Sequence, residues 1–150
     1  MTLNNTEIKI HEIKTASDNR GYLRFCNEFN FSKYVRFYDV INHKNNFIRA
    51  WHGHKYESKA VTVREGSAMI CIIKVDDWIN PSKKLEINKF FISDMDPKIL
   101  EIPAGYVNGF MTLEPKTKLT YYSDKSLKQS MDDDFRFDFN FWNPWEIVYR

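Results

Sequence analysis

Short runs rich in Val, Ile, Tyr and Phe, separated every few residues by Gly, Pro, Asn, Asp and Ser, fill most of this 150-residue chain. Runs of that length, bounded by turn formers, read as strands and not as helices. Strands are expected near residues 22–28, 35–41, 47–54, 59–64, 67–75, 88–92, 99–102, 109–113 and 118–123. So many strands at this spacing bury their inner faces only as a sandwich or a barrel. The expected fold class is therefore all-β. Gly66, in Arg64-Glu65-Gly66-Ser67, stands where a tight hairpin needs positive φ, and residues 77–84, with Asn80-Pro81-Ser82, read as a surface loop.

From Lys125 onward the character of the chain changes. An acid run, Asp132-Asp133-Asp134, precedes Phe135, Phe137, Phe139, Phe141, Trp142 and Trp145. The alternation of Phe with Arg136, Asp138 and Asn140 suits an extended segment laid on apolar surface, as a clasp on the barrel or a dimer contact. The acid run reads as a solvated turn or helix start. No repeat or low-complexity tract divides the chain, so one domain spanning 1–150 is expected. A chain of that length hides roughly two thirds of its unfolded surface.

A formal net charge of +2 with mixed signs gives no basic stripe, so neither nucleic acid nor a membrane surface is expected as a partner. Only two cysteines occur, Cys26 and Cys71, and Cys71 lies within Met69-Ile70-Cys71-Ile72-Ile73, which predicts a buried thiol rather than a disulfide. The segment Met1–Glu7 lacks a basic stretch followed by an apolar one, and no apolar run approaches the roughly 18 residues of a membrane span. Cytoplasmic localisation is the resulting expectation.

The most chemically informative segment is Ile48-Arg49-Ala50-Trp51-His52-Gly53-His54. Strand side chains repeat every two residues, so His52 and His54 point the same way. Lys59 and Gly66 follow, and later Pro103-Ala104-Gly105-Tyr106-Val107-Asn108-Gly109-Phe110. This pattern resembles the framework of the two cupin motifs, with two ligand positions altered. Lys59 stands at the usual Glu site and Asn108 at the usual His site. A cation repels a divalent metal at close range and an amide is a poorer ligand than imidazole, so no metal and no other cofactor is expected.

These residues resemble the dTDP-4-dehydrorhamnose 3,5-epimerases, cupins acting on nucleotide-linked keto sugars. The resemblance runs from Asp18-Asn19-Arg20-Gly21 to about Ser123. Arg49-x-x-His52 resembles the family's Arg-x-x-His, in which the His is the base. Lys59 with Gly66, and Ile102-Pro-x-Gly-Tyr-x-x-Gly-Phe110, resemble two further family patterns, and the spacing from Asn108 to Tyr121 matches that between the family's His and its proton-donating Tyr. The resemblance implies a cupin jelly-roll barrel with an aromatic C-terminal extension. It also implies a nucleotide-sugar partner, dTDP-linked, with Arg20 reaching a nucleotide diphosphate. Exposed strand edges and the aromatic run need covering, so a homodimer formed partly by the N-terminal strand around Arg20 to Glu28 is expected.

Departures from the family pattern are clear. The loop between His52 and Lys59 is shorter, the family His is Asn108, and the tail that supplies the acidic partner of the base is rewritten. Asp138 is the nearest counterpart of that acid, with Asp132, Asp133 and Asp134 as alternatives. The sugar-nucleotide 3,4-ketoisomerases are a second resemblance, through Asp-x-Arg-Gly and Arg-x-x-His-x-His-Lys at Arg49–Lys55. Lys59 and Tyr121 favour the epimerase type; His54 favours the ketoisomerase type.

Removing a proton next to a ketone needs a base, a cation or donor for the enolate oxygen, and an acid to return the proton. His52, Lys59 and Tyr121 supply those types, with His54 beside them. Arg49, Asn108 and Trp51 are expected to contact substrate along with Arg20. Alternation puts Arg49 on the opposite side from His52 unless a bulge intervenes near Ala50-Trp51. The expected function is a metal-free epimerase or ketoisomerase acting on a nucleotide-linked 4-keto-6-deoxy sugar. The alternatives are a non-catalytic sugar-nucleotide-binding cupin and, third, a metal-dependent cupin using His52 and His54.

Overall fold

The structure, a computed structural model, describes residues 7–150; the expectation resting on the first residues, Met1–Thr6, lies outside them. The apolar runs form β1 (Lys9–Glu12), β2 (Lys14–Asp18), β3 (Gly21–Phe25), β4 (Arg36–Ile41), β5 (Ile48–His54) and β6 (Lys59–Glu65). They continue as β7 (Ser67–Lys74), β8 (Asn88–Ser93), β9 (Lys98–Ile102), β10 (Tyr106–Thr112) and β11 (Lys118–Ser123). A short helix, α1 (Leu127–Met131), then precedes β12 (Phe135–Arg136). One sheet has the order β1-β9-β6-β11-β4, the other β12-β5-β10-β7-β8, and β2 pairs with β3 as a separate hairpin. The pairings are antiparallel. The fold is an all-β jelly-roll barrel of the cupin type with an aromatic C-terminal extension.

Alternation along each strand decides what the barrel encloses. Val61 and Val63 of β6, Ile70 and Ile72 of β7, Leu100 of β9 and Leu119 of β11 pack together between the sheets. The opposite face of β7, Met69, Cys71 and Ile73, is covered by Trp142 and Trp145. Both faces of β7 are thus buried, which is why it reads as one continuous apolar run. The tail is a clasp on the barrel. It pairs through Trp51 N–H to Phe137 O at 2.9 Å and Phe137 N–H to Trp51 O at 3.1 Å, and the Trp51 indole N–H donates to the Trp142 carbonyl at 3.0 Å.

Three strands and the helix fall outside the expected pattern. All five residues of β2 are exposed, so it carries no apolar alternation to read. α1 is marked by a capping box between Ser126 and Gln129, a signature present in the sequence as Ser-x-x-Gln. The acid run that follows α1 is not uniformly solvated, because Asp133 is buried while Asp132 and Asp134 are exposed. Among the described residues, no helix is long and apolar enough to cross a membrane.

Candidate active site

Two strand positions on β5 open a pocket at one end of the barrel. In the β5–β10 register, His54 faces Tyr106, His52 faces Asn108 and Arg49 faces Phe110. Ala50 and Trp51 together therefore oppose Gly109 alone, a β-bulge. The extra residue returns Arg49 to the side of His52. Gly109 is required there, since a Cβ on it would meet Ala50 Cβ at 2.5 Å.

Arg36 and Tyr38 of β4, His52 and His54 of β5, and Lys59 of β6 line a cavity of about 220 Å³. α1 adds Leu127, Ser130 and Met131 along one side, and the tail adds Asp134 and Arg136. Arg136 is beside His52 because the two are paired residues of β12 and β5.

Lys59 is only 7% exposed, and its ammonium donates to the Tyr38 hydroxyl at 3.0 Å. It also lies over the rings of Tyr38 and Tyr121, at 5.6 and 5.9 Å from their centroids. Among the described residues it has no carboxylate partner. Buried ammonium groups are ordinarily paired with an anion, so this one leaves positive charge available inside the pocket.

His54 is buried and held from one side. Its Nδ1 lies 2.5 Å from the Asp133 carbonyl oxygen and 3.0 Å from a Glu57 carboxylate oxygen. A carbonyl only accepts, so Nδ1 carries the hydrogen. The other ring nitrogen, Nε2, is then an unprotonated acceptor, buried and, among the described residues, without a hydrogen-bond partner. Burial holds the imidazole below its ordinary pKa; Lys59 pushes it further down, and Glu57 and Asp133 oppose that. His52 is more open, and among the described residues no hydrogen bond fixes its ring. Burial, then the charges of Arg136 and Lys59, lower its pKa as well, against Asp134.

Asp133 organises this corner. Its carboxylate accepts from the backbone N–H groups of Lys55 and Tyr56 at 2.8 Å each and of Glu57 at 3.1 Å. Three converging amides fix the β5–β6 loop and turn Glu57 inward.

The family model described as dTDP-4-dehydrorhamnose 3,5-epimerase matches residues 3–142. The chain belongs to this family. Among solved structures, it is similar to the dTDP-4-dehydrorhamnose 3,5-epimerase of Bacillus anthracis with TDP and pyrophosphate bound, at 22% identity and a TM-score of 0.76. That match covers 99% of this chain and 90% of the other. It is also similar to the TDP-quinovose 3,4-ketoisomerase of Campylobacter jejuni, at 20% identity and TM-score 0.65, covering 89% and 95%. A sugar 3,4-ketoisomerase of Thermoanaerobacterium thermosaccharolyticum in complex with TDP matches at 16% identity and TM-score 0.66, covering 94% and 93%. These likenesses establish the shared fold. No curated protein matches the chain.

Several of the expected site positions are not at the pocket. Trp51 is 0% exposed and packs edge-on against Trp142 under the tail, with centroids 5.7 Å apart; it faces away from His52 and contacts no substrate space. Asp138 is exposed, and its backbone carbonyl accepts from Phe141 N–H, so it is not the acid beside either histidine. Tyr121 is buried behind Tyr38, and its hydroxyl donates to Asn108 Oδ1 at 3.2 Å. Asn108 is buried too, with its amide nitrogen 3.4 Å from the His52 carbonyl, so both its polar atoms are engaged inside the wall. Arg49 donates to Asn42 Oδ1 at 2.7 Å, farther along the barrel. Arg20 sits on the β2–β3 turn, where its guanidinium pairs with Asp18. The pocket instead presents Tyr38, Arg36 and Arg136, with Glu57 behind His54. Among the described residues no group of three or more His, Cys, Asp and Glu side chains is arranged to hold a metal ion.

Proposed function

We propose that this protein is an epimerase or 3,4-ketoisomerase that acts on a nucleotide-linked 4-keto-6-deoxy sugar by removing a proton from carbon next to the ketone. The observation that carries the reading is the pairing, in one pocket, of a buried ammonium and a buried imidazole that, among the described residues, have respectively no anionic partner and no hydrogen bond at Nε2. His54 Nε2 takes the proton from carbon; the electron pair moves to the carbonyl oxygen, and Lys59 stabilises the resulting enolate. Tyr38, hydrogen-bonded to Lys59, is the phenol placed to return a proton. His52 is the second imidazole of the site and is available to relay a proton from substrate hydroxyl. This assignment moves the base from His52 to His54 and the acid from Tyr121 to Tyr38.

Family membership and the TDP in two similar structures support a dTDP-linked substrate. Arg36 and Arg136 supply guanidinium groups suited to anionic oxygens. In epimerisation the proton returns to the same carbon on the opposite face. In ketone migration one proton leaves carbon 3, one arrives at carbon 4, and a hydroxyl hydrogen passes from oxygen 3 to oxygen 4. Incubation with dTDP-4-keto-6-deoxyglucose in deuterated water separates them: NMR shows deuterium at carbons 3 or 5 for the first and at carbon 4 for the second. Tight binding without exchange at any carbon would replace the reading with that of a sugar-nucleotide-binding module.

The same proposal includes a homodimer in the cytoplasm. The β2–β3 hairpin exposes Tyr22 at 67% and Leu23 at 64%, and a two-stranded hairpin with both faces in water is marginal by itself. A second copy packed on it provides the missing cover, and light scattering at micromolar concentration reports the state. Cys26 and Cys71 are free thiols, in keeping with a reducing compartment.

A further inference from the structure

We infer that Glu57 is a positioning residue that orients His54 and stabilises its protonated form. The catalytic part of the inference rests on the proposed role of His54 as base; the structural part stands without it. Glu57 follows His54 by three residues, and its carboxylate is fully buried. One carboxylate oxygen lies 3.0 Å from His54 Nδ1 and accepts from Ser130 Oγ of α1 at 3.0 Å. The other accepts from Arg36 Nη2 of β4 at 3.1 Å and from the Ser123 hydroxyl of β11.

A carboxylate buried only to neutralise Arg36 needs one oxygen. Here the second oxygen is turned to the imidazole, and the strand, helix and loop partners fix it there. Donors from three elements, Arg36 of β4, Ser123 of β11 and Ser130 of α1, satisfy both oxygens of the Glu57 carboxylate. The hydrogen bond of Nδ1 goes to the Asp133 carbonyl, which keeps the hydrogen on Nδ1 and the lone pair on Nε2, and the Glu57 carboxylate stands 3.0 Å from the same Nδ1 as its ion-pair partner. When a substrate C–H bond breaks and the proton moves to Nε2, the imidazolium gains a buried anion at Nδ1. Lys59 on β6 and His52 on β5 act against that cation. Glu57 in the loop and Asp133 in the tail segment favour it, with Arg36 on the far side of the carboxylate.

Glu57 sits in the loop, whereas the family pattern directs attention to the tail for the acid. The two are physically linked, because the tail's Asp133 carboxylate shapes the loop that carries Glu57. The shortened His52–Lys59 connection is thereby part of the site.

The test is Glu57→Gln, which retains an oxygen acceptor for Arg36 and Ser123 but removes the charge and puts an amide NH2 toward Ser130 and His54 Nδ1. NMR titration of the imidazole ring protons is the first readout and requires no activity. The inference predicts that the His54 pKa falls in the variant while that of His52 shifts less. An unchanged His54 titration overturns it, whatever the enzyme does. The second readout is deuterium exchange into the keto sugar: kcat falls by about tenfold or more with KM nearly unchanged, and Glu57→Asp recovers part of the loss. A variant with wild-type kcat overturns the catalytic part. If Glu57→Gln does not fold, Glu57→Asp carries the titration, with an altered His54 pKa expected and an unaltered one contradicting the inference. A wild-type protein that exchanges no carbon-bound proton removes the proposed reaction, and the titration still decides whether Glu57 governs His54.

Discussion

The ring of Tyr38 lies on that of Tyr121, with centroids 5.3 Å apart and planes within 6° of parallel. The two are directly paired residues of β4 and β11, and only Tyr38 borders the pocket. Burial also holds the Tyr121 hydroxyl well above the usual phenol pKa, which makes it a poor proton relay. Tyr38→Phe is therefore expected to lower turnover by roughly 100-fold, the low end of the contribution of a positioned acid or base. Tyr121→Phe is expected to leave turnover within a few-fold and to lower stability by about 1 kcal/mol, through loss of its hydrogen bond to Asn108. Steady-state kinetics with thermal melts on both variants check this; the reverse ranking contradicts it.

Lys59→Met removes a buried charge that lacks an anionic partner among the described residues, while keeping a long apolar stem. Stability is expected to hold or to rise by about 1 kcal/mol, since an isolated buried charge is unfavourable, whereas exchange activity collapses. On a chain of this size that gain is about 2–4 °C in Tm. A melt several degrees lower together with retained activity shows that Lys59 is structural.

The bulge at Ala50-Trp51 closes on Gly109, and a methyl there has nowhere to go. Gly109→Ala should destabilise the protein by about 1–3 kcal/mol, as overpacking does. Because the bulge sets which way His52 and Arg49 face, substrate affinity should fall with it. Denaturant melts and a binding isotherm measure the two effects, and a variant as stable as the parent argues against the bulge.

What the sequence discloses about this site follows the range of its signals. Alternation is local, so the shared orientation of His52 and His54, and of Lys59 with Val61 and Val63, is legible from spacing alone. The same rule already turned Trp51 away from His52, and the expectation that its aromatic ring contacts substrate went against that signal. Tyr38 and Glu57 could not be found that way. They reach His54 and Lys59 through closure of β4 against β11 and through the loop folded around Asp133, contacts between residues distant in sequence. Asp133 is hidden by its neighbours, because Asp132 and Asp134 have the same composition and only the end of α1 distinguishes which one turns inward.

Acidity gives a separate expectation. His54 has its folded pKa below the ordinary 6.5, so the neutral base persists on the acid side of that value. The acid limb of kcat should have its midpoint below about pH 6.5. The linked effect on stability has the same sign: the unfolded chain binds the proton more tightly, so stability is full above about pH 6.5 and falls as pH drops through the folded pKa. A pH series of exchange rate and Tm tests both, and a midpoint above 6.5 contradicts the burial of a neutral imidazole.

The central claim is that His54, with its free Nε2, removes a carbon-bound proton from a keto sugar nucleotide. It is tested most directly by the initial rate of deuterium incorporation into dTDP-4-keto-6-deoxyglucose in deuterated water, followed by NMR for wild-type, His54→Ala and His52→Ala proteins. The account predicts exchange by the wild type, a loss of about 100-fold or more in His54→Ala, and a smaller loss in His52→Ala. Wild-type exchange retained in His54→Ala, with His52→Ala inactive, would contradict it.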